Sequence, residues 1–539
     1  MASSFTPNPA RGVRGMVTAP HSLASQSALA VLREGGNAVE AMVAAASTIA
    51  VVYPHMNSIG GDGFWLISQP GQAPRGLEAC GATAQAASIE AYRAAGLQSI
   101  PFRGGMAANT VAGTISGWDA ALRYSREALG GRLPLARLLG DAIDYAQGGI
   151  PVTGSQSVCT AQRIAQLAPI AGYASTFLNA DGSAPAPGSL FRQPRLAATL
   201  QHLVADGLDD FYRGELARSM AADLQAVGSP LALADLQAHQ AVWKTPLALS
   251  HSLGTIYNMP PPTQGLVSLL ILGQLDRLLD AASMSPLGAS YVHACVEATK
   301  QAFAIRDRHI TDPAYMRVDP QDFLQAAKLD EMASRISPAQ ALPWGNGQGP
   351  ADTIWMGVID GNGVAVSFIQ SIYHEFGSGV VLANSGVNWQ NRGCSFSLDP
   401  EALNPLTPGR KPFHTLNPAM ARFADGRTMV YGNMGGDGQP QSQSAVFSRI
   451  AVFGMNPQAA IAAPRWLLGR TWGESSDSLK LEARFPAETV EALRRMGHVV
   501  DVLQPFDESM GHAGAIVRHA DGSFEGGNDP RSDGVALGW

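Results

Sequence analysis

One peptide bond in this chain, between Asp352 and Thr353, has surroundings that could support chemistry. It lies where a stretch rich in glycine and proline, GNGQGPAD, meets an apolar stretch, TIWMGVID. A threonine hydroxyl is a weak nucleophile until a base removes its proton, and the α-amine of an N-terminal threonine can be that base, with a pKa of about 7.7 to 8.0. Cleavage before Thr353 would create such an N-terminus. The local sequence alone favours the alternative, an ordinary strand residue, because threonine is common in strands.

Two adjacent glycines, Gly435 and Gly436, form the second candidate. They lie in GNMGGDGQPQ. Because glycine has no side chain to obstruct a ligand, their backbone N–H groups could face a developing oxyanion. An ordinary glycine turn after TMVYGN is the alternative, and local sequence again favours it.

Other patterns that carry chemistry are missing from the sequence. The stretch SIGGDGF has the wrong glycine spacing for a dinucleotide-binding loop and follows a helical stretch rather than a strand. None of the 12 histidines lies in an H-E-x-x-H pattern, and the four cysteines form no C-x-x-C pair. The net charge of −7 offers no basic surface to nucleic acid. We therefore expect no metal site, no cofactor, no disulfide framework and no nucleic-acid partner.

The elements that must position these residues begin with helices. Residues 22–52 are predicted as two helices, capped by Ser22 and Asn37 and separated by Gly35-Gly36. Residues 110–245 are predicted to be mainly helical, and further helices are expected near 266–279 and 290–310. Residues 334–352 have little periodicity and many proline and glycine residues, which indicates an exposed linker.

The part after this linker is richer in strands. TIWMGVID and VAVSFIQS are predicted as two strands joined by the turn at residues 360–363, DGNG. GVVLA, AMARFA and TMVYGNM are further candidate strands, in addition to the earlier FWLIS and GTIYN. A helical part followed by a strand-rich part predicts an α+β fold in which helices cover stacked sheets.

Composition and the early sequence indicate a globular protein of the cytoplasm. Of the 539 residues 46% are apolar and 15% are charged, which is typical of an enzyme-sized globule rather than a disordered chain. The first residues contain no apolar core of a secretory signal. The apolar run AVEAMVAAASTIAVVYP carries Glu40 and ends at Pro54, short of the roughly 20 residues that a membrane helix needs. We expect a buried helix there and no membrane partner.

Eight blocks of the sequence, taken in order, carry a resemblance that no single motif carries. The blocks are GGNAVEAMVAAASTIAVVYPHMNSIGGDGF, YNMPPPTQG, EATKQAFAIRDRHITDP, DTIWMGVIDGNGVAVS, FGSGVVLANSGV, GRKPFHTLNPAM, GNMGGDGQPQ and GNDPRSDG. Nearly end to end, the chain resembles the gamma-glutamyltranspeptidase family of N-terminal nucleophile hydrolases.

This resemblance implies a four-layer αββα sandwich, made as a precursor that cleaves itself between Asp352 and Thr353. Residues 1–352 would form the large subunit and residues 353–539 the small subunit, associated as one intertwined catalytic domain, with a dimer of these pairs as a further expectation. It also implies that Thr353 is the nucleophile, that its freed amine is the base, and that the Gly435 and Gly436 amides form the oxyanion hole.

The resemblance breaks down at the residues that hold a γ-glutamyl group. Family members use an arginine for the α-carboxylate and an aspartate for the α-amino group, and this chain has Cys80 and Ser395 at the corresponding places. The paired serines of the family are replaced by His414 and Thr415. The loss of charge-assisted contacts worth about 1.5 to 3 kcal/mol each should weaken a glutamyl ligand.

Three further residues are candidates for the substrate pocket. Arg392 could receive a small carboxylate, although an ion pair at the surface or between the subunits is an equal alternative. Ser371 and Asn391 could steady the Thr353 amine and the loop of the small subunit, or could be satisfied structural polar groups.

Within the family the chain resembles the cytoplasmic amidohydrolase branch that includes oxamate amidohydrolase. The resemblance implies hydrolysis of a small acidic amide through an acyl-enzyme on Thr353. The alternatives are γ-glutamyl transfer or glutathione hydrolysis, a cephalosporin-type acylase, and an uncleaved relative that only binds a ligand.

Overall fold

The computed structural model of the chain describes residues 7–345, 352–469 and 477–539. The helices within these ranges are α1 (Ser22–Arg33), α2 (Ala38–Val52), α3 (Ile89–Ala94), α4 (Thr114–Ala128), α5 (Leu135–Gly148), α6 (Gly154–Leu167), α7 (Tyr173–Phe177), α8 (Pro194–Asp206), α9 (Asp210–Arg213), α10 (Glu215–Ala226), α11 (Leu233–Ala238), α12 (Gly265–Leu278), α13 (Ala289–His309), α14 (Ala326–Ser334), α15 (Gly438–Ala451), α16 (Pro457–Ala462) and α17 (Ala487–Arg495). Short 3₁₀ helices occur at Gly105–Ala107, Pro313–Tyr315, Pro320–Leu324, Arg392–Ser395 and Glu508–Met510.

Strands occur in both halves of the chain. They are β1 (Ala10–Gly12), β2 (Gly15–Ala19), β3 (Asp62–Ser68), β4 (Arg75–Ala79), β5 (Ile150–Pro151), β6 (Leu190–Phe191), β7 (Val242–Lys244), β8 (Leu247–His251), β9 (Gly254–Asn258), β10 (Asp352–Asp360), β11 (Ala365–Tyr373), β12 (Ala419–Phe423), β13 (Thr428–Asn433), β14 (Trp466–Leu468), β15 (Leu479–Glu482), β16 (Val500–Leu503), β17 (Ala513–Arg518), β18 (Phe524–Asn528) and β19 (Val535–Gly538).

Two large antiparallel sheets of seven strands each, counted over the described residues, stack face to face. The first has the order β1-β18-β17-β13-β12-β9-β8, and the second has the order β19-β2-β10-β11-β3-β4-β7. Strand β10 of the second sheet packs against β13 and β17 of the first. Helices α1 and α2 cover the outer side of the second sheet, and α12 and α15 cover that of the first. The expected α+β class and αββα layering are therefore confirmed.

Helix α2 shows how the apolar run predicted at this position is accommodated. All its residues are buried. The Asn37 side chain accepts the N–H groups of Val39 and Glu40, and the Glu40 carboxylate accepts the Asn37 N–H in return, which makes a capping box. The other Glu40 oxygen accepts backbone N–H groups of Arg132 and Leu133 at 2.7 Å each. The carboxylate of Glu40, the one charged residue in the run, thus accepts hydrogen bonds from backbone N–H groups at the start of the helix and in a neighbouring loop.

The hairpin β10–β11 forms at the predicted turn. The Asp360 carboxylate accepts the N–H groups of Asn362 and Val364 at 2.9 and 3.0 Å, and Gly363 has a φ of 82°, which only glycine adopts without strain. The second Asp360 oxygen accepts the Ala38 N–H at 2.9 Å. The turn is thereby joined to the start of α2, and the strands that follow Thr353 are fixed to the helical layer.

Both large sheets mix strands from the two sides of residue 352. In the first sheet β12, β13, β17 and β18 lie between β1 on one side and β8 and β9 on the other. In the second sheet β10 and β11 lie between β2 and β3. A cut before Thr353 would leave neither part with a complete sheet, so the two parts would have to stay together to retain their backbone hydrogen bonds.

Some sequence predictions need correction or lie outside the described residues. GVVLA is not a strand: Val381 makes an isolated bridge to Asn388, because Gly379 and Gly386 have positive φ values of 74° and 68° and the chain turns back on itself. AMARFA and TMVYGNM form β12 and β13 as predicted. Of the predicted linker at 334–352, residues 346–351 lie outside the described ranges. Within those ranges, no helix combines the length and the apolar character needed to cross a membrane.

Candidate active site

The candidate nucleophile, Thr353, is the second residue of β10 and is fully buried. Strands β10 and β11 change register between Asp352 and Ile354, so a β-bulge lies at Thr353. Bulges of this kind re-aim side chains beside active sites. The Thr353 hydroxyl donates a hydrogen bond to Ser371 Oγ at 3.2 Å, and the Tyr373 N–H donates to the same oxygen at 2.8 Å. The sequence candidate Ser371 is thus in direct contact with the Thr353 hydroxyl.

Arg392 lies close to this bulge, over the ring of Tyr373. Its guanidinium carbon is 3.9 Å from the ring centroid, and the residue is 1% exposed. Tyr373 has a φ of 81°, a conformation that costs a non-glycine residue about 1 to 3 kcal/mol and that is concentrated at functional sites. None of the three guanidinium nitrogens makes a hydrogen bond to any described residue. Burial lowers the pKa of Arg392, although the group remains a cation at neutral pH.

Asp62 lies next to Ser371 on the neighbouring strand, since the two residues are partners in the register of β3 and β11. Its Oδ1 accepts the N–H groups of Gly81 and Gly113 at 3.1 and 3.0 Å. Its Oδ2 lies 3.6 Å from His414 Nε2. Burial raises the pKa of Asp62 to about 7, against the opposing effect of Arg392.

His414 is fully buried beside Asp62, and it is held in place by its backbone and its ring. Its N–H donates to Pro262 O at 2.9 Å, and its carbonyl accepts the Gln264 N–H at 2.9 Å. The ring packs edge-on against Phe64 at 4.9 Å between centroids. Burial, followed by the nearby Arg392, lowers the pKa of His414 well below its usual value, so the imidazole is neutral.

Gly435 and Gly436 form the turn between β13 and α15. Their φ values are 118° and 52°, which only glycine adopts readily. The Gln264 side-chain amide donates to Gly436 O at 2.8 Å and to Thr415 O at 3.0 Å. Gln264 therefore fixes the orientation of the Gly436 peptide and joins it to the loop that carries Thr415.

The N–H groups of this glycine turn are available to a ligand. Neither Gly435 N nor Gly436 N donates a hydrogen bond to a described residue, whereas their carbonyls accept the N–H groups of Gly438 and Gln439 at the start of α15. Backbone donors at a helix N-terminus favour a negative charge. The turn can therefore stabilise an oxyanion.

Thr353 and the glycine turn lie at the same end of the two facing sheets. A Cβ on Gly432, three residues before Gly435, would lie 2.1 Å from Trp355 Cδ1, and Trp355 is two residues after Thr353. The ring of Trp355 therefore packs directly on the end of β13. The fold thus brings close to each other the candidate nucleophile and the candidate oxyanion donors, which the sequence indicated separately.

Substitution of Gly435 by Ala is expected to lower kcat by roughly 10²- to 10³-fold, the usual effect of removing one oxyanion donor. A Cβ at this position has room, since its nearest neighbour is Gly511 Cα at 3.6 Å. The φ of 118° is nevertheless unfavourable for alanine, so the peptide should rotate and move its N–H. Steady-state kinetics on the matured protein measures the effect.

Gly454→Ala is the matched control for this substitution. Gly454 also has a positive φ, of 67°, with open space around its Cβ position, but it follows the C-terminal end of α15. It should lose a similar amount of stability and keep its kcat. Equal loss of activity in both variants would contradict a role for the glycine turn in catalysis.

A cavity of about 500 Å³ opens beside these residues. Its wall includes two sequence candidates, Ser395 and Thr415, together with Tyr373 and the ion pair between Arg306 and Asp437. Thr415 Oγ1 is buried and has no hydrogen-bond partner among the described residues. Ser395 Oγ has a long contact of 3.5 Å to Phe413 O. Both residues therefore lie next to the space that a ligand in the cavity would occupy.

Two other sequence candidates are placed differently. Cys80 is buried beside Phe64 and Met259, and burial raises the pKa of its thiol well above the usual value, so it remains protonated. Asn391 is fully buried, and its amide is used by the backbone: it accepts the His374 N–H and donates to Phe102 O at 2.8 Å. Its contacts fit the structural alternative, in which it holds two loops together.

Sequence reasoning missed three residues of this site. Asp62 and Gln264 lie within the family-like blocks SIGGDGF and YNMPPPTQG, but nothing in their spacing pointed to a role. Tyr373 lies two residues after the predicted strand VAVSFIQS and gave no signal of a positive φ. Each becomes visible only when the tertiary contacts are known.

Among the residues that the structure describes, one group has a composition suited to a metal, and it lies apart from the site above. His293, Glu297 and His498 are buried with their ligand atoms within 4.8 Å of one another. His293 Nδ1 already contacts His498 Nε2 at 2.8 Å, and Glu297 pairs with the Lys300 ammonium at 2.7 Å. Hydrogen bonds and an ion pair thus account for this cluster without a metal.

Comparison with known proteins gives matches over almost the whole chain. The family profile described as Gamma-glutamyltranspeptidase matches residues 24–539. Oxamate amidohydrolase proenzyme of Klebsiella pneumoniae subsp. pneumoniae is 60% identical over 525 residues, 97% of this chain and 98% of the relative. Glutathione hydrolase-like YwrD proenzyme of Bacillus subtilis is 40% identical, over 98% of this chain and 99% of the relative.

A solved structure, that of cephalosporin acylase from Bacillus halodurans, superposes with a TM-score of 0.90 at 32% identity, over 100% of this chain and 98% of the acylase. Together these matches confirm the enzyme class and the N-terminal nucleophile hydrolase fold that the sequence blocks indicated. The chain belongs to the gamma-glutamyltranspeptidase family.

Proposed function

We propose that this chain is a self-processing amidohydrolase that cleaves a small amide bearing a carboxylate, of which oxamate is the simplest example. The observation that carries the substrate class is the Arg392 guanidinium, which is buried beside the nucleophile's bulge with no hydrogen-bond partner among the described residues. A buried cation without a partner is costly unless a ligand supplies the opposite charge. The 60% identity to an oxamate amidohydrolase proenzyme supports the same class.

Maturation in this proposal is cleavage of the bond between Asp352 and Thr353. It converts the Thr353 nitrogen from an amide into an amine, which can hold a proton. The products, residues 1–352 and 353–539, stay together because their strands alternate in both sheets. An arrangement of two such pairs as a dimer is compatible with this scheme and is not required by it.

The hydrolysis then proceeds in two steps. The Thr353 amine takes the proton of the hydroxyl, whose oxygen attacks the amide carbon, while the Gly435 and Gly436 N–H groups receive the oxyanion. The amine returns the proton to the leaving nitrogen, ammonia departs, and an ester on Thr353 remains. Water, deprotonated by the same amine, attacks this ester and releases the acid.

Ser371 and Thr415 take supporting roles in this scheme. Ser371 Oγ, fixed by the Tyr373 N–H, orients the Thr353 hydroxyl. The Thr415 hydroxyl has no partner among the described residues, and Thr415 lines the cavity, so this hydroxyl is a candidate to bind the substrate carbonyl or carboxylate. The small-molecule substrate is the only ligand that the scheme needs.

A substrate panel on the matured protein tests this proposal. We expect kcat/KM for oxamate to exceed that for a γ-glutamyl anilide by at least about 100-fold, since two charge-assisted contacts worth about 1.5 to 3 kcal/mol each are missing for the glutamyl group. Similar turnover of both compounds would contradict the proposed substrate class and favour glutathione hydrolysis or γ-glutamyl transfer.

A bulky acyl amide belongs in the same panel because one observation favours an acylase. The cavity of about 500 Å³ is large for oxamate and falls in the range of pockets that bind drug-sized ligands. The close superposition on a cephalosporin acylase points the same way. Preferential turnover of the bulky amide would establish this second candidate function.

A further inference from the structure

Asp62 forms the far end of a short row of side chains that begins at the nucleophile. Thr353 bonds to Ser371, and Ser371 is the register partner of Asp62 on the next strand. Directly opposed residues of an antiparallel pair point to the same face of the sheet. The Asp62 carboxyl therefore lies on the same face of the sheet as the Thr353 side chain. It is also near enough to Arg392 for the two charges to interact.

We infer that Asp62 is a specificity-determining residue, which takes up a proton when a carboxylate ligand binds beside Arg392 and then donates a hydrogen bond to that ligand. This inference rests on the proposed function, because it needs an anionic substrate at Arg392. Asp62 would be a second group, after Arg392, that recognises the substrate carboxylate, and substrate binding would be coupled to the uptake of one proton.

The two oxygens of Asp62 have different environments. Oδ1 is fully used, since it accepts the backbone N–H groups of Gly81 and Gly113. Oδ2 makes no hydrogen bond to a described residue, and His414 Nε2 lies 3.6 Å from it. Although Asp62 is fully buried, its Oδ2 is therefore available to carry a proton or to contact a ligand.

The groups that face Asp62 from the surrounding elements allow it to be protonated. Arg392, on the 3₁₀ helix Arg392–Ser395, is the one cation among the groups that shift the pKa of Asp62. Arg392 and the Gln390 side chain both favour the ionised carboxylate and so lower this pKa. The Gln390 side-chain amide donates one of its two hydrogens to Val111 O at 2.8 Å. His414 is neutral, and the buried Cys80 thiol stays protonated. Burial outweighs these effects and raises the pKa of Asp62 to about 7.

An anion beside Arg392 changes this balance in one direction. Its negative charge offsets the guanidinium charge and repels an ionised Asp62, so the pKa of Asp62 rises further in the complex. Linkage then requires proton uptake on binding, most of all above about pH 7, where the free carboxyl is ionised. A neutral or cationic ligand group would not raise the pKa of Asp62 in this way. The coupled proton uptake therefore favours ligands that carry a carboxylate.

Calorimetric titration of the matured protein with oxalate, the product of oxamate hydrolysis, measures this proton directly. Repeating the titration in buffers of different ionisation enthalpy gives the number of protons taken up. At about pH 8 the wild type should take up at least about half a proton more per site than Asp62→Asn. The Thr353 amine contributes equally to both proteins, so the difference reports Asp62.

The variant is chosen to preserve the structure around residue 62. Asparagine retains Oδ1 for Gly81 and Gly113, and gel analysis of its two fragments together with its melting temperature shows whether it matures and folds. Infrared difference spectra of the wild type with and without oxalate provide a measurement that needs no variant. They should gain the C=O band of a protonated carboxyl group when oxalate binds.

Three results separate this inference from the proposed function. Greater proton uptake in the wild type, with the new infrared band, supports the role of Asp62. Oxalate binding that is lost in Arg392→Met but has equal proton uptake in the wild type and Asp62→Asn overturns the role of Asp62 and leaves the proposed function intact. Failure of the wild type to bind oxalate or to hydrolyse oxamate overturns both.

Discussion

Replacement of Thr353 by Ala should leave the chain in one piece and reduce amide hydrolysis by at least about 10⁴-fold. Alanine removes the hydroxyl that both self-cleavage and acyl transfer require, and without cleavage the base, a free α-amine, never forms. Mass spectrometry should show an intact chain for the variant, and two fragments, residues 1–352 and 353–539, for the wild type. Because residue 353 is fully buried, bulk water cannot readily take the place of the missing hydroxyl as nucleophile.

Thr353→Ser is the matched control, because serine keeps a hydroxyl and, after cleavage, an α-amine. It should mature and retain measurable hydrolysis. An intact single chain with full activity in either protein would contradict the N-terminal nucleophile. Retention of ligand affinity together with an absence of turnover in the matured wild type would instead indicate a binding protein.

The elements around Thr353 were predictable because their signals are local. The turn at residues 360–363 depends on one carboxylate that accepts nearby N–H groups and on one glycine with positive φ. Helix α2 depends on a capping box within four residues. Both devices are encoded in adjacent residues, so the sequence alone indicated the turn and the Asn37 cap. The order of eight family-like blocks then extended these local signals to the whole fold.

The substrate side of the site was less predictable because it depends on contacts between distant segments. Arg392 was recognised as a carboxylate receptor or as part of an ion pair, and only the structure shows that it lies on the Tyr373 ring without an acidic partner within salt-bridge distance among the described residues. Asp62 is far from His414 in sequence, yet their side chains face each other. The strand predicted at GVVLA failed for the opposite reason, since two glycines overrode a local preference for strand.

Arg392→Met should lower kcat/KM for oxamate by roughly 10²- to 10⁴-fold. The guanidinium can make two charge-assisted hydrogen bonds to a carboxylate, worth about 1.5 to 3 kcal/mol each, and methionine replaces its volume without its charge. An uncharged amide of similar size should lose less than about threefold, because it makes no such bonds. Steady-state kinetics with both amides on the matured variant gives the comparison, and Arg392→Lys should recover only part of the loss.

The same substitution should leave the melting temperature of the free protein unchanged or raise it, since it removes the cost of burying a charge that has no hydrogen-bond partner, and this offsets the lost contact with the Tyr373 ring. Arg449→Met provides the contrast: Arg449 is equally buried but donates to Pro464 O at 2.8 Å, so its loss should destabilise the fold without altering the preference for carboxylates. Oxalate should raise the melting temperature of the wild type and of Arg449→Met, but not that of Arg392→Met. A fall in the stability of Arg392→Met comparable to that of Arg449→Met, with both amides affected alike, would mean that Arg392 is a structural residue. The carboxylate would then have to be recognised by another residue.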